Sequence, residues 1–95
     1  MQDDEFEWDD EKAQANLKEH GVSFEAAKLV FKDPFAFDWT DDREEYGEDR
    51  SCIIGAADGR ILFVAYTERN GRTRIISARG AEPHERRQYH EENSS

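Results

Sequence analysis

The stretch ILFVAYTERNGRTRIISAR, residues 61–79, is two runs of β-favouring residues joined at Asn70-Gly71. Both turn residues accept positive φ, which a type I′ turn requires at its two central positions, so the stretch predicts a hairpin closed by a two-residue loop. In that register Arg69 faces Arg72, Thr67 faces Arg74, Ala65 faces Ile76 and Phe63 faces Ala78. Alternation then sorts the side chains. One face takes Ile61, Phe63, Ala65, Ile76 and Ala78 and turns basic at the tip with Arg69, Arg72 and Arg74. The other takes Leu62, Val64, Tyr66 and Ile75, with Glu68, Thr73, Ser77 and Arg79 among them. A four-residue loop would keep this opposition, whereas a bulge would exchange the faces. Neither face is cleanly polar, so the hairpin is expected inside the sheet, with residues 61–68 between 72–78 and 50–57.

Working outward, Asp58-Gly59 is a second hairpin signal and makes residues 50–57 the preceding strand. Before it, DDREEYGED up to residue 49 is almost entirely charged, and residues 41–49 are expected to form a solvated acidic loop. Phe35 to Thr40, aromatic and alternating, predicts a further strand. Nearer the start, Phe6-Glu7-Trp8 predicts a short edge strand or an extended lead-in. Asp9 or Asp10 caps a helix running to about His20, with Ala13, Asn16, Leu17 and His20 on one side and Gly21 as its left-handed stop. Ser23 caps a second helix from Phe24 to about Lys32, ended by Asp33-Pro34 because the residue before proline leaves the α region. Beyond the hairpin, Glu82 and Pro83 open a last helix whose one large apolar contact is Tyr89. Residues 93–95 are expected to fray. The order helix, helix, four-stranded antiparallel meander, helix predicts an α+β fold in a single domain.

Ninety-five residues bound the chain to one small core. Charged residues make up 38% of it and eleven residues are aromatic, too many for wholesale disorder. The single Cys52 excludes an internal disulfide and a CxxC metal site, and the apolar run around it predicts burial. No apolar run approaches the ~20 residues of a membrane span, and the acidic start lacks the regions of a signal peptide. The expected location is cytoplasmic, with no membrane partner. Net charge is −10 but uneven: residues 1–59 hold 18 Asp/Glu against 6 Lys/Arg, while residues 60–87 hold 7 Arg against 3 Glu. A basic hairpin on an acidic body suits a small anionic target or a basic partner segment. It argues against broad nucleic-acid binding, which needs many phosphate contacts.

Three stretches resemble one family: FEWDDEKAQANLKEHGVSFEAAKLVFKDP at 6–34, EDRSCIIG at 48–55 and YTERNGRTRIISARGAEPHERRQY at 66–89. They are similar, in order, to the BrnT toxins of bacterial BrnT/BrnA type II toxin–antitoxin pairs. The resemblance implies a RelE-like fold and a ribonuclease that cuts RNA without metal or cofactor and arrests growth. It also implies a ribbon-helix-helix antitoxin, BrnA, which neutralises the toxin and through which the complex reaches operator DNA. The polar positions that match are Lys12, Asn16, His20, Arg50, Glu68, Arg69, Arg74, Ser77, Arg79, Glu85 and Tyr89. The chain departs from the family at Gly80, where Lys or Arg is usual.

Metal-independent RNA cleavage needs a base for the 2′-hydroxyl, cationic donors for the phosphorane and an acid for the leaving oxygen. Glu68, Arg69 and Arg79 are the catalytic candidates, because a guanidinium is permanently charged and grips phosphate through two donors. Arg50, Arg74, Tyr66 and His20 are the candidates for holding RNA or its phosphate. Each has a plainer alternative. The arginines could be strand-edge charges paired with Glu68 or the acidic loop, and Glu68 could serve only as the partner of Arg69. Tyr66 could pack in the core with a wet hydroxyl, and His20 could cap carbonyls at its helix end. His84 and His90 lie on an exposed helix. The acidic runs lack the spacing of a calcium loop, so no metal is assigned. Three classes stay open: a toxin ribonuclease, an antitoxin-binding partner without turnover, and a nucleic-acid-binding module, which the charge disfavours.

Overall fold

Capping chemistry sets the helices. In the computed structural model, which describes residues 1–41 and 49–93, the Asp9 carboxylate accepts from the N–H groups of Glu11 and Lys12, and Gly21 at φ 68° closes α1 (Asp10–His20). Ser23 accepts from the Ala26 N–H and opens α2 (Phe24–Val30), two residues shorter than expected. Its end tightens into three-residue turns, with Phe31, Lys32 and Asp33 donating to Lys28, Leu29 and Val30. The expected strand at 35–40 also starts late. Asp33 folds its side chain onto the Phe35 N–H and its carbonyl onto the Ala36 N–H, and that turn delays β2 until Phe37–Asp41.

The remaining elements are β1 (Phe6–Glu7), β3 (Arg50–Ala57), β4 (Arg60–Arg69), β5 (Arg72–Gly80) and α3 (Pro83–Glu92). The α+β class and its three helices stand as expected, but the sheet does not. It has five strands in the order β1-β5-β4-β3-β2 and is mixed, because the lead-in β1 joins it parallel to β5. Its four antiparallel members form the expected meander, with β4 between β3 and β5. Both hairpin turns carry the positive φ pair their residues permit, Asp58-Gly59 and Asn70-Gly71. Of the acidic loop expected at 41–49, residues 42–48 lie outside the described residues, Asp41 instead closes β2, and Asp49 leads exposed into β3. Of the tail, Asn93 is tied down, donating to the carbonyls of Phe35 and Tyr89, and 94–95 lie outside the described residues.

The hairpin register needs a second correction. Arg69 faces Arg72, Thr67 faces Arg74 and Tyr66 faces Ile75 in the expected register, but a bulge between Ala65 and Tyr66 then puts Ser77, not Ile76, opposite Ala65. Ile76 is the extra residue. From there on the faces exchange: Ala78 joins Val64 and Leu62, while Ser77 and Arg79 join Ala65 and Phe63.

The first of these faces is the core side. Leu62, Val64, Ile75 and Ala78 are at most 2% exposed and pack against Phe24, Ala27 and Val30 of α2 and against Val22. Each large apolar side chain buried here stabilises the fold by about 1.5–3 kcal/mol. Gly55 allows α2 its approach, since a Cβ there would lie 2.9 Å from Cγ1 of Val30. Asn16, buried on α1, donates to the carbonyls of Val22 and Ala78 and accepts from the Ala78 N–H. The Asn16 amide thereby stands in for a neighbouring strand beside β5 after β1 has ended. Leu17, expected on the same side, is 51% exposed.

Candidate functional site on the open sheet face

Cross-strand neighbours share a face, and the bulge decides what the second face presents. One row runs Phe37, Ile54, Phe63 and Arg79 across four strands. The next runs Trp39, Cys52, Ala65 and Ser77. Arg74 lies beyond them opposite Thr67, and Arg69 opposite Arg72 at the tip. Arg50 pairs with Asp41 across β2 and β3 and, two residues before Cys52, belongs to the same face. Were Ile76 paired regularly with Ala65 instead of bulged, Arg79 would fall opposite Leu62 and point into the helix side. Four of the expected site residues, Arg79, Arg74, Arg69 and Arg50, are thus gathered on one surface.

Arg79 is held with particular firmness. Its Nη1 and Nη2 donate to the two carboxylate oxygens of Glu85 at 2.8 and 3.1 Å, and Nη1 also donates to the Gly80 carbonyl. The guanidinium carbon lies 4.2 Å from the centre of the Phe63 ring, a cation–π contact. Of the five N–H donors a guanidinium carries, Glu85 takes the end-on pair and Gly80 a third. The side-on edge, Nε–H with the second Nη2–H, has no protein partner among the described residues, and the side chain is 31% exposed. Glu85 is itself 7% exposed and receives the Glu82 N–H at 2.8 Å. Burial alone would raise its pKa; the hydrogen bonds from Arg79 and from Glu82 outweigh that and lower it. The same bond raises the pKa of Arg79 against the effect of burial. Both groups stay charged, which suits a fixed donor and makes Glu85 a poor acid.

The other arginines are also braced. Arg74 donates to Glu7 at 2.8 Å, and the Nε of Arg72 donates to the Asp3 carbonyl at 2.7 Å. The remaining candidates lie elsewhere. Tyr66 faces the core side, edge-on to Phe31 at 5.0 Å, with its hydroxyl donating to Asp38; burial and the Asp38 carboxylate raise its pKa. Glu68 follows on that side, exposed, beside a polar cleft of about 340 Å³ shared with Asp38, Asp49, Ser51 and Tyr66. His20 ends α1 in the helix layer, 3.9 Å from Glu19, with the sheet between it and Arg79. Among the described residues no three metal-ligating side chains converge, and no helix is long and apolar enough to cross a membrane.

Glu85, Phe63 and Trp39 were not named as site residues from the sequence. Glu85 left a trace, the three-residue spacing from Glu82 that marks a capping box. Trp39, 40% exposed on the open face, had only the aromatic alternation of its strand.

Fold and face together define a small α+β protein with an arginine-bearing sheet surface, flanked by a C-terminal helix that supplies a buried carboxylate. Residues 8–85 match the model of a family described as the ribonuclease toxin BrnT of type II toxin–antitoxin systems. The chain belongs to the BrnT family. A search of curated proteins returned no match.

Proposed function

We propose that this chain is the toxin of its pair, an endoribonuclease that cleaves RNA without metal on the open sheet face. The observation that carries the proposal is Arg79: a guanidinium fixed by Glu85 and Phe63 that keeps one complete fork edge for a phosphate. In the reaction, a 2′-hydroxyl oxygen bonds to the adjacent phosphorus as its proton leaves. The phosphorane then collapses, breaking the bond to the 5′-oxygen, which takes up a proton. A 2′,3′-cyclic phosphate and a 5′-hydroxyl result. Arg79 stabilises the extra negative charge of the phosphorane, and because its orientation is already set, little reorganisation opposes it. Arg74, Arg50 and Arg69 guide the flanking phosphates. Glu68 lies on the opposite face, so proton transfer next to Arg79 falls to water rather than to Glu68. A BrnA-like ribbon-helix-helix antitoxin neutralises the toxin and provides the only link to operator DNA.

Single-turnover cleavage of a defined RNA by folded protein tests this. Arg79→Ala should slow cleavage by about 10²–10³, the scale of other lost transition-state donors, and weaken RNA affinity by much less. Arg79→Lys should recover only part, since a point charge cannot reproduce the fork. Arg87→Ala, exposed on α3, is the control for losing one positive charge. Equal rates in all variants would overturn the assignment. The alternative, a partner that binds antitoxin without turnover, is favoured by one observation: Arg79 and Arg74 are already neutralised by Glu85 and Glu7. Absence of cleavage by the wild type, with antitoxin binding intact, would establish it.

A further inference from the structure

Three aromatic side chains continue from Arg79 across the open face. Phe63 lies under the guanidinium, and Trp39 meets Phe63 edge-on at 5.8 Å. Phe37 stacks on Trp39 at 5.8 Å with an interplanar angle of 26°. This face has a buried centre of its own in Ile54, flanked across the strands by Phe37 and Phe63, but Trp39 is only partly drawn into it. Trp8, the other tryptophan, is buried at 6% exposure against Phe24, whereas Trp39 leaves 40% of its surface to solvent. Its cross-strand neighbours Cys52, Ala65 and Ser77 are small, so that row leaves the indole uncovered beyond its contacts with Phe37 and Phe63. Edge contacts with Phe63 and the stack on Phe37 fix the ring, which lowers the entropy lost when a flat ligand settles on it.

We propose that Trp39 is the base-stacking subsite of this face, seating an unpaired nucleobase of single-stranded RNA whose neighbouring phosphate is held by the free edge of Arg79. The occupant follows from the pairing of the two chemistries. An exposed indole offers a π-face to any base, and a guanidinium with two parallel N–H donors matches a phosphate; single-stranded RNA presents both at adjacent positions. An apolar protein segment would use the indole and leave the fork edge unpaired. The subsite rests on the ribonuclease proposal for the same face and adds to it how the substrate is gripped: by stacking, with little discrimination among bases, and only where RNA is unpaired.

The test uses the full chain and a labelled short RNA, 2′-O-methylated so that it cannot be cut, beside an abasic strand of equal length. Binding is followed by anisotropy and Trp39 by fluorescence quenching. The base-bearing strand should bind roughly tenfold or more tightly than the abasic one and quench the exposed tryptophan. Trp39→Ala should abolish that difference, Trp39→Phe should retain most of it, and Leu17→Ala, a comparable apolar loss on the helix layer, should leave it unchanged. With unmethylated RNA, Trp39→Ala should raise KM more than it lowers kcat. Equal binding of the two strands, or of wild type and Trp39→Ala, would overturn the subsite even if the wild type cleaves RNA. Base-dependent quenching without cleavage would sustain the subsite and sink the ribonuclease proposal. An indole that RNA leaves unquenched but the antitoxin shields would make this a protein interface and overturn the subsite.

Discussion

Replacing Asn16 by alanine should destabilise the domain more than any surface charge change, and the cost follows from what its amide holds. Nδ2 donates to the Ala78 carbonyl at 2.8 Å and to the Val22 carbonyl at 2.9 Å, and Oδ1 accepts from the Ala78 N–H at 3.1 Å. All three bonds are buried. Each is worth about 1 kcal/mol net, and a backbone group left buried without a partner costs about 1–3 kcal/mol. Water reaching the small gap would relieve part of that, so Asn16→Ala should lose roughly 3–5 kcal/mol, a large share of the ~5–15 kcal/mol available to a small domain. In urea, with a slope of about 1–3 kcal/mol per molar, the midpoint should fall by about 2 M. Asn16→Asp keeps the acceptor but turns a carboxylate oxygen toward two carbonyls, so it should be at least as damaging at neutral pH. It should recover in part on acidification, when the carboxyl becomes a donor. A loss below about 1 kcal/mol in Asn16→Ala, measured by equilibrium unfolding, would refute the idea that the side chain acts as a surrogate strand.

Two further outcomes follow from the same contacts. Deleting Ile76 should remove the bulge yet keep Ile75 opposite Tyr66 and Ser77 opposite Ala65; the protein should fold with a loss of about 1–2 kcal/mol in urea. Deleting Ala78 instead would bring Arg79 opposite Val64 and should prevent folding. The second concerns acid. α3 is fastened by Glu85 to Arg79 and by the Tyr89 hydroxyl to Asp33 at 2.6 Å. Burial opposes ionisation of both carboxylates, but their hydrogen bonds prevail and both pKa values are lowered. A depressed folded-state pKa stabilises above the unfolded value and loses that contribution as pH falls through the folded one. Stability should therefore begin to drop below about pH 4.5, the ordinary value for Glu. In Glu85→Gln/Asp33→Asn, less stable at pH 7, that decline should be shallower; parallel curves by urea unfolding from pH 7 to 3 would contradict it.

What the sequence disclosed, and what it hid, divides by the range of the interactions. Asn70-Gly71 and Asp58-Gly59 state their turns because the φ values are a property of those residues alone. Asp9, Ser23 and Gly21 state their caps for the same reason: each partner lies within four residues. The bulge is different. Ile76 carries no mark of being unpaired, since a β-branched residue fits a regular strand as well as an irregular one. What decides is the fit between hairpin and helix layer: the regular register would replace Ala78 beneath Asn16 with Ser77 and turn Arg79, opposite Leu62, into the helix side. Yet that single residue determines whether Arg79 meets Glu85 or the core. Although Glu85 lies only six residues from Arg79, other contacts that set the sheet and brace its arginines run between distant partners: Asn16 reaches 62 residues to Ala78, and Arg74 reaches 67 to Glu7. Such pairs impose no period and no spacing, only a requirement that two polar groups find each other once the apolar faces have packed. The four arginines were legible as a class from charge and hairpin position. Their common face was not, because a shift of one residue in one strand reverses it.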